Sequence, residues 1–355
     1  MKKPKISIIT PAYNAERYIA ETIQSVQAQS FTEYEHIVID DGSHDTTATI
    51  VKEYAKADKR IIYLKQKNKG PSAARNKGLK KAKGMHIIFL DADDSFAPDT
   101  LSTLSQTAAT TDADIIFYDY VYYIDNKNLG WSRHHIELDQ TKTYSKEDLS
   151  DKIFNVFPIL TCNKLIKKQV LSGGKISFDT TYARNEDVDF SIRVTLAAET
   201  YAYVDYIGYY YRVSNPDSET ATNFKHPTQL LQILANLNEL ILIKHPNLKQ
   251  SFDNYAIEQM IGSVSQQEPH PQIHHEVFDF VVNKTMPSIG LDNVQPDYLY
   301  NPALWNAFSA LQDKNYPGIL FARVKTLKEH TAWLEGQIVG LENELKILKE
   351  AQPAD

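Results

Sequence analysis

One cysteine, Cys162, stands alone among 355 residues, so no disulfide can form within the chain and a reducing compartment is expected. Long apolar runs are missing too. No window approaches the roughly 20 apolar residues that span a bilayer. The run after Met1-Lys2-Lys3 stops at Asn14, Glu16 and Arg17, too soon for a signal segment. The expected location is the cytoplasm, with any contact to the inner face of the membrane peripheral at most. Positive charge is not in excess. The 38 Lys and Arg stand against 45 Asp and Glu, a formal net charge of −7, which argues against general nucleic-acid binding. A composition of 42% hydrophobic and 23% charged residues is that of a globular chain, not a disordered one. At this length one α/β catalytic unit with a smaller appended unit is the natural organisation.

Short apolar, β-branched runs alternate with amphipathic stretches through residues 1–120. Lys5 to Thr10 reads as a strand stopped by Pro11, and the spacing of Tyr18, Ile19, Ile23 and Val26 predicts a helix after it. His36 to Ile39, Ile61 to Leu64, His86 to Leu90 and Ala113 to Tyr118 repeat the strand pattern. Helices are predicted between them, from near Thr46, from Ser72 to Lys83 and from near Pro98. Strands that are apolar throughout imply a mostly parallel central sheet covered on both faces. Ligands of such sheets bind beyond the carboxyl ends of the strands. Those ends carry Thr10-Pro11-Ala12-Tyr13-Asn14, Asp40-Asp41-Gly42-Ser43 and Asp91-Ala92-Asp93-Asp94. No G-x-G-x-x-G follows the first strand, which weakens a dinucleotide-binding reading.

Two carboxylates two positions apart at the end of a buried strand, Asp91 and Asp93, can reach one hard cation such as Mn²⁺ or Mg²⁺ and leave positions for phosphate oxygens. The other reading of Asp93-Asp94-Ser95 is a cap for the helix opening near Pro98. In Asn68-Lys69-Gly70-Pro71-Ser72-Ala73-Ala74-Arg75-Asn76, a Gly-Pro turn opens a helix with Arg75 one turn in. A helix N-terminus and a guanidinium both suit phosphate oxygens, whereas the alternative for Arg75 is an ion pair.

These segments resemble family 2 glycosyltransferases of the GT-A fold in four places taken in order: Ile6 to Asn14, Ile37 to Asp45, Asn68 to Asn76, and Phe89 to Asp94. The resemblance implies a GT-A nucleotide-sugar-binding domain over 1–220, with donor binding in 1–120 and the acceptor side in 121–220. It implies that Tyr13 lines or stacks on the base, that Asp41 bonds a uracil ring, and that Pro11 and Asn68 shape the base pocket. Arg75 would contact the nucleotide, Asp91 with Ala92 beside it would touch the ribose or sugar, and Asp93 would ligate the metal. Core packing is the other reading of Tyr13.

The order Asn163-Lys164-Leu165-Ile166-Lys167-Lys168, then Phe178, then Glu186-Asp187-Val188-Asp189-Phe190 is similar to the acceptor side of the same family. That pattern implies Asp187 as the catalytic base, with Glu186 orienting the base or acceptor. A carboxylate beside the acceptor hydroxyl is what the chemistry needs, although acidic residues also suit the start of a helix. Asp189 lies roughly 200° around a helix from Asp187 and is the lesser candidate. Tyr209-Tyr210-Tyr211-Arg212 and Ser218 look like the family's segment over the donor diphosphate, which makes Arg212 and Ser218 candidate phosphate contacts. His134 and His135 are neighbours that would point to opposite faces of a strand, so no shared metal is expected.

Beyond Thr228 the spacing of Leu and Ile predicts a small helical domain over 221–320. Val324, Leu327, Thr331, Leu334, Ile338, Leu341, Leu345 and Leu348 recur at alternating spacings of three and four, a coiled-coil seam over 321–350 that implies a homo-oligomer, dimer or trimer. An amphipathic helix docked on its own domain is the alternative. The function expected from all of this is inverting, metal-dependent transfer of a sugar from a UDP-linked donor to a hydroxyl of a cell-surface glycan or polyol-phosphate acceptor. A nucleotidyltransferase and a non-catalytic carbohydrate-binding scaffold are the competing readings.

Overall fold

A computed structural model describes residues 4–124, 127–132, 138–157, 159–213, 226–265 and 271–322, with the isolated positions 324, 325 and 328. Ser218, His134, His135 and the heptad positions from Leu327 onward lie outside the described residues. Two compact units divide the chain, Met1–Tyr255 and Ala256–Asp355.

The first unit is built on one sheet. Its strands are β1 (Ile6–Ala12), β2 (Tyr34–Asp40), β3 (Ile61–Lys65), β4 (His86–Phe89), β5 (Ser95–Phe96), β6 (Ile115–Ile124), β7 (Lys127–Ser132), β8 (Tyr144–Ser145), β9 (Lys164–Lys167) and β10 (Thr200–Arg212). They run in the order β3-β2-β1-β4-β9-β6-β10-β5, with β7 on β6 and β8 on β10. The helices of this unit are α1 (Ile19–Gln27), α2 (Thr47–Ala57), α3 (Pro71–Lys81), α4 (Thr100–Thr111), α5 (Ile153–Val156), α6 (Lys168–Gly173), α7 (Glu186–Ala197) and α8 (Gln229–Lys244).

The parallel arrangement expected from unbroken apolar strands holds for β3-β2-β1-β4, where Ile8 sits opposite His36 on one side and Ile88 on the other. The second half of the sheet is mixed. β9 runs antiparallel between β4 and β6, pairing Ile166 with both Ile87 and Ile115, while β6 and β10 are parallel to each other. The two-residue β5 and the position of β9 were not predicted from the sequence.

Burial follows the apolar runs. Ile6, Ile8, Ile88, Leu90, Leu101, Leu104, Ile116 and Tyr118 form one core, and Ile19, Ile23, Val38, Val51 and Ile61 form another under α1 and α2. Helix α3 lies so close on β1 and β2 that a Cβ at Gly78 would come within 2.5 Å of the Ile9 side chain, so only glycine fits at the contact. Helix α4 starts at Thr100, and its N-cap Asp99 takes a left-handed φ of 61°. Asp93 and Asp94 therefore do not cap it. Helix α8 buries Leu231, Ile233, Leu234, Leu237 and Ile241 as the Leu and Ile spacing predicts, and it packs against α7 within the first unit.

Helix α9 (Lys249–Ser265) runs across the division between units. The second unit continues with α10 (Pro271–Phe280), a π-helical turn at Val281–Thr285, α11 (Met286–Ile289) and α12 (Trp305–Gln312), around a core that includes Met260, Val264, Val277, Val281, Phe308 and Leu311. Leu320, Phe321 and Val324 are exposed beyond it. Among the described residues no helix is long and apolar enough to cross a membrane.

Candidate active site

At the carboxyl ends of β1, β2 and β4 a cavity of about 1120 Å³ opens, lined from one side by Pro11, Tyr13, Asp41, Asn68 and Arg75 and from the other by Asp93, Glu186, Asp187 and Arg212. The place is the one that strand direction predicts. Asp91 and Ala92 also line it. Every site residue expected from the sequence and lying within the described residues is on this wall.

Backbone chemistry explains the side that carries Asp41 and Asn68. β2 ends at Asp40, whose carboxylate accepts the Ser43 N–H at 2.8 Å and the Tyr63 hydroxyl at 2.9 Å. Gly42 takes a φ of +80°, and a Cβ there would lie 2.8 Å from the Asn68 nitrogen, so side chain and turn are incompatible. Asp41 accepts the N–H groups of Lys69 and Gly70 at 2.9 and 2.8 Å and the Gln66 amide at 2.8 Å. One carboxylate thus fixes the loop that carries Asn68 into the cavity. Tyr13 is 46% exposed and meets His44 edge-on at 6.5 Å between ring centroids, which rules out its reading as a core residue.

Arg75 joins the two sides. Its guanidinium donates to Glu186 at 2.7 Å and to Asp91 at 2.9 Å, and it lies 5.3 Å from the centre of the Phe178 ring. Of the two readings left open by the sequence, the ion pair is present, but it is buried and bridges α3, the end of β4 and the start of α7. Such a pair, once desolvated, is costly to break from one side, because the remaining charge stays buried.

Asp187 is half-buried at the first turn of α7, where its carboxylate accepts the Val188 N–H at 2.9 Å. Burial, and after it the negative charge of Glu186, push its pKa up to about 7, against the opposing pull of Arg75. A carboxyl poised there suits proton abstraction near neutrality. Asp189 points elsewhere: it pairs with Arg193 one turn on, whose Nε lies 2.9 Å away.

Two residues of the site were not singled out from the sequence. Asp94 is 3% exposed and accepts the Tyr209 hydroxyl at 2.6 Å and the Arg212 N–H at 2.8 Å. Its pKa is raised well above the usual carboxylate range by burial and then by Asp93 and Asp91. Tyr209 also accepts the Asp91 N–H at 3.2 Å, so β10 holds the acidic turn in place from 115 or more residues away in the chain. Arg212 donates to the Asp93 carbonyl at 2.8 Å and to Glu21 at 2.7 Å, and its guanidinium lies 4.8 and 4.5 Å from the ring centres of Tyr18 and Tyr123. Its positive charge therefore stands beneath the acidic turn.

Among the described residues no group of three or more His, Cys, Asp or Glu is gathered to hold a metal. Asp93 and Asp91 both line the cavity, and Asp91 is already paired with Arg75; a hard cation that takes one or two carboxylates would complete its shell there with phosphate oxygens and water.

The glycosyl transferase family 2 model matches residues 7–173. The chain is 30% identical over 264 residues to the GalNAc(5)-diNAcBac-PP-undecaprenol beta-1,3-glucosyltransferase of Campylobacter jejuni, covering 71% of this chain and 80% of that one. It spans 62%, 30% and 64% of the length of three other curated relatives, less than two thirds of each. In fold it is similar to residues 1–349 of S. aureus TarS in complex with UDP-GlcNAc, with a TM-score of 0.71 at 18% identity over 92% of both chains. It is also similar to the mannosyltransferase PcManGT of Pyrobaculum calidifontis in complex with GDP-Man and Mn²⁺, with a TM-score of 0.53 at 16% identity over 92% of this chain and 88% of that one.

Proposed function

The chain belongs to glycosyl transferase family 2, and from that premise we propose that it transfers a sugar, with inversion and with the help of Mn²⁺ or Mg²⁺, from a UDP-linked donor to a hydroxyl of a cell-surface glycan or polyol-phosphate acceptor. The observation that carries the reading is a single cavity holding the base-pocket residues Pro11, Tyr13, Asp41 and Asn68, the acidic turn, and the Asp187 carboxylate. The UDP-GlcNAc of the TarS structure supports the choice of a UDP-linked donor, and the Mn²⁺ beside GDP-Man in the mannosyltransferase supports the choice of cation.

Tyr13 would stack on the base, and Asp41, already holding the 66–70 loop, would offer its carboxylate edge to the uracil ring. Asp91 would meet the ribose or sugar. Asp93 would hold a divalent cation, which supplies positive charge against the leaving diphosphate. Arg212, and Ser218 outside the described residues, would add phosphate contacts. On the acceptor side Asp187 removes the hydroxyl proton as the new bond to the anomeric carbon forms and the bond from that carbon to the diphosphate oxygen breaks. Glu186, pinned by Arg75, keeps the first turn of α7 facing the donor. One base and one displacement give inversion.

Release of nucleotide diphosphate from a panel of nucleotide-sugars, in the presence of Mn²⁺, tests the reading. At least one UDP-sugar is expected to turn over and to raise the melting temperature of the protein. Binding without release would favour a carbohydrate-binding scaffold, and pyrophosphate release from a nucleoside triphosphate would favour a nucleotidyltransferase.

Self-association through 321–350 belongs to the same proposal. Val324, the first position of the seam, is 49% exposed and begins the apolar stripe that a partner helix would cover. Light scattering is expected to report an oligomer for the full chain and a monomer for a chain ending at Pro317. A full-length monomer rejects the seam, and a truncated oligomer moves the interface to 228–317.

A further inference from the structure

Ten of the 38 basic residues and none of the 45 acidic residues fall between Asp58 and Asp91, in a chain whose balance is otherwise acidic. In the structure this segment supplies β3, the loop held by Asp41, and α3. Lys65, Lys67, Lys69, Lys80, Lys81 and Lys83 are exposed. Three of the lysines of this segment, Lys69, Lys77 and Lys80, line one open groove of about 680 Å³ between the outer face of α3 and Thr180.

The groove has a fixed wall and a definite direction. Asn76, on its floor, clamps Phe178 from both sides: its amide nitrogen donates to the Phe178 carbonyl at 2.8 Å and its amide oxygen accepts the Phe178 N–H at 2.8 Å. Asp179, the acidic residue beside the groove, has its Oδ1 occupied by the Thr181 N–H and hydroxyl at 2.8 and 2.7 Å. Lys77 is steadied through its ammonium by the Lys65 carbonyl. At its near end Lys69 is held by Asp41, and its chain neighbours Asn68 and Gly70 are part of the donor cavity wall. The lysines therefore continue the rim of the cavity in which the acceptor must arrive.

We propose that this groove binds a linear polyanion, a phosphodiester-linked chain, and that this chain is the acceptor or carries it. The proposal rests on the transferase reading only in its second half. A concave row of like charges walled by low-dielectric protein concentrates a threadlike anion. A bilayer surface is flat, and it would meet the rims of the groove but not its floor.

Fluorescently labelled inorganic polyphosphate is the probe, with dextran as the neutral control and vesicles of phosphatidylglycerol and phosphatidylcholine as the membrane arm. Polyphosphate is expected to bind in low salt, to be released as salt is raised, and to bind roughly tenfold or more weakly to the Lys77→Glu/Lys80→Glu protein. Lys77→Arg/Lys80→Arg is expected to restore binding, which separates loss of charge from loss of fold. Donor hydrolysis in the absence of acceptor is expected to be equal in wild type and both variants. Equal polyphosphate affinity in wild type and the glutamate variant overturns the proposal, as does charge-dependent binding to phosphatidylglycerol vesicles alone. If no donor turns over in wild type while polyphosphate still binds through these lysines, the transferase reading falls and the polyanion site stands.

Discussion

Replacing Asp187 with asparagine is expected to lower turnover by roughly 10² or more while leaving nucleotide affinity within about twofold. Asparagine keeps the size of the side chain and can still meet the Val188 N–H that Asp187 now accepts, but it cannot take a proton. The pH profile gives the sharper reading. Because the Asp187 pKa is raised to about 7, kcat/KM of the native enzyme is expected to rise with pH through that region and level off above it, and the variant is expected to lose that limb. Stability should move the other way. A carboxyl whose folded pKa lies above its unfolded value near 4 favours the folded state when protonated, and that contribution is lost as pH rises from about 4 to about 7. Asp187→Asn is therefore expected to melt higher than native protein at pH 8 and alike near pH 4. Near-normal turnover in the variant would remove Asp187 from the chemistry, and a loss of nucleotide affinity would move it to the donor site.

Turnover is also expected to disappear in a chelator and to return with Mn²⁺ or Mg²⁺, and Asp93→Ala is expected to abolish it under every metal condition with the circular dichroism spectrum unchanged. The physical reason is the density of negative charge. Three carboxylates crowd the acidic turn, and the two guanidinium groups beside it, Arg75 and Arg212, are each shared with a further carboxylate, Glu186 and Glu21, so a diphosphate is expected to need added positive charge to approach it. Asp94 is a different case from Asp93 although the two are adjacent. It is locked by Tyr209 and by the Arg212 backbone, so its loss is expected to loosen the turn. Full activity in chelator would overturn the assignment of Asp93.

The gathering of Pro11, Tyr13, Asp41 and Asp91 at one edge of the sheet was legible because its determinants are local. Each of β1, β2 and β4 is an apolar run ending in a polar turn, and strand direction alone puts those turns on one edge. What could not be read are pairings over long stretches of chain. Lys164-Leu165-Ile166-Lys167 is four residues with a lysine at each end, too short and too mixed to announce a strand between β4 and β6. Asp94 stands in the same acidic string as Asp93, and nothing local says that Tyr209 will meet one of them and not the other. The Arg75–Glu186 bridge links residues 111 apart, so the sequence could offer phosphate and carboxylate as partners for Arg75 without choosing.

The strand β9 has a consequence for synthesis. Until residues 164–167 leave the ribosome, β4 has no neighbour on its outer side and β6 lacks the strand that ties it to the parallel half. Open edges of this kind invite pairing with other chains, and non-local strands form slowly because the loop between them must close first. The nascent protein thus carries an exposed seam from the completion of β4 at residue 89 to that of β9 at residue 167, about a fifth of the chain. The closing strand runs directly into α6, with α7 and Asp187 next along the chain, so Asp187 follows the same stretch that completes the sheet. A fragment confined to the first 120 residues would keep the loops after β1, β2 and β4 yet lack the strand that joins their sheet to β6.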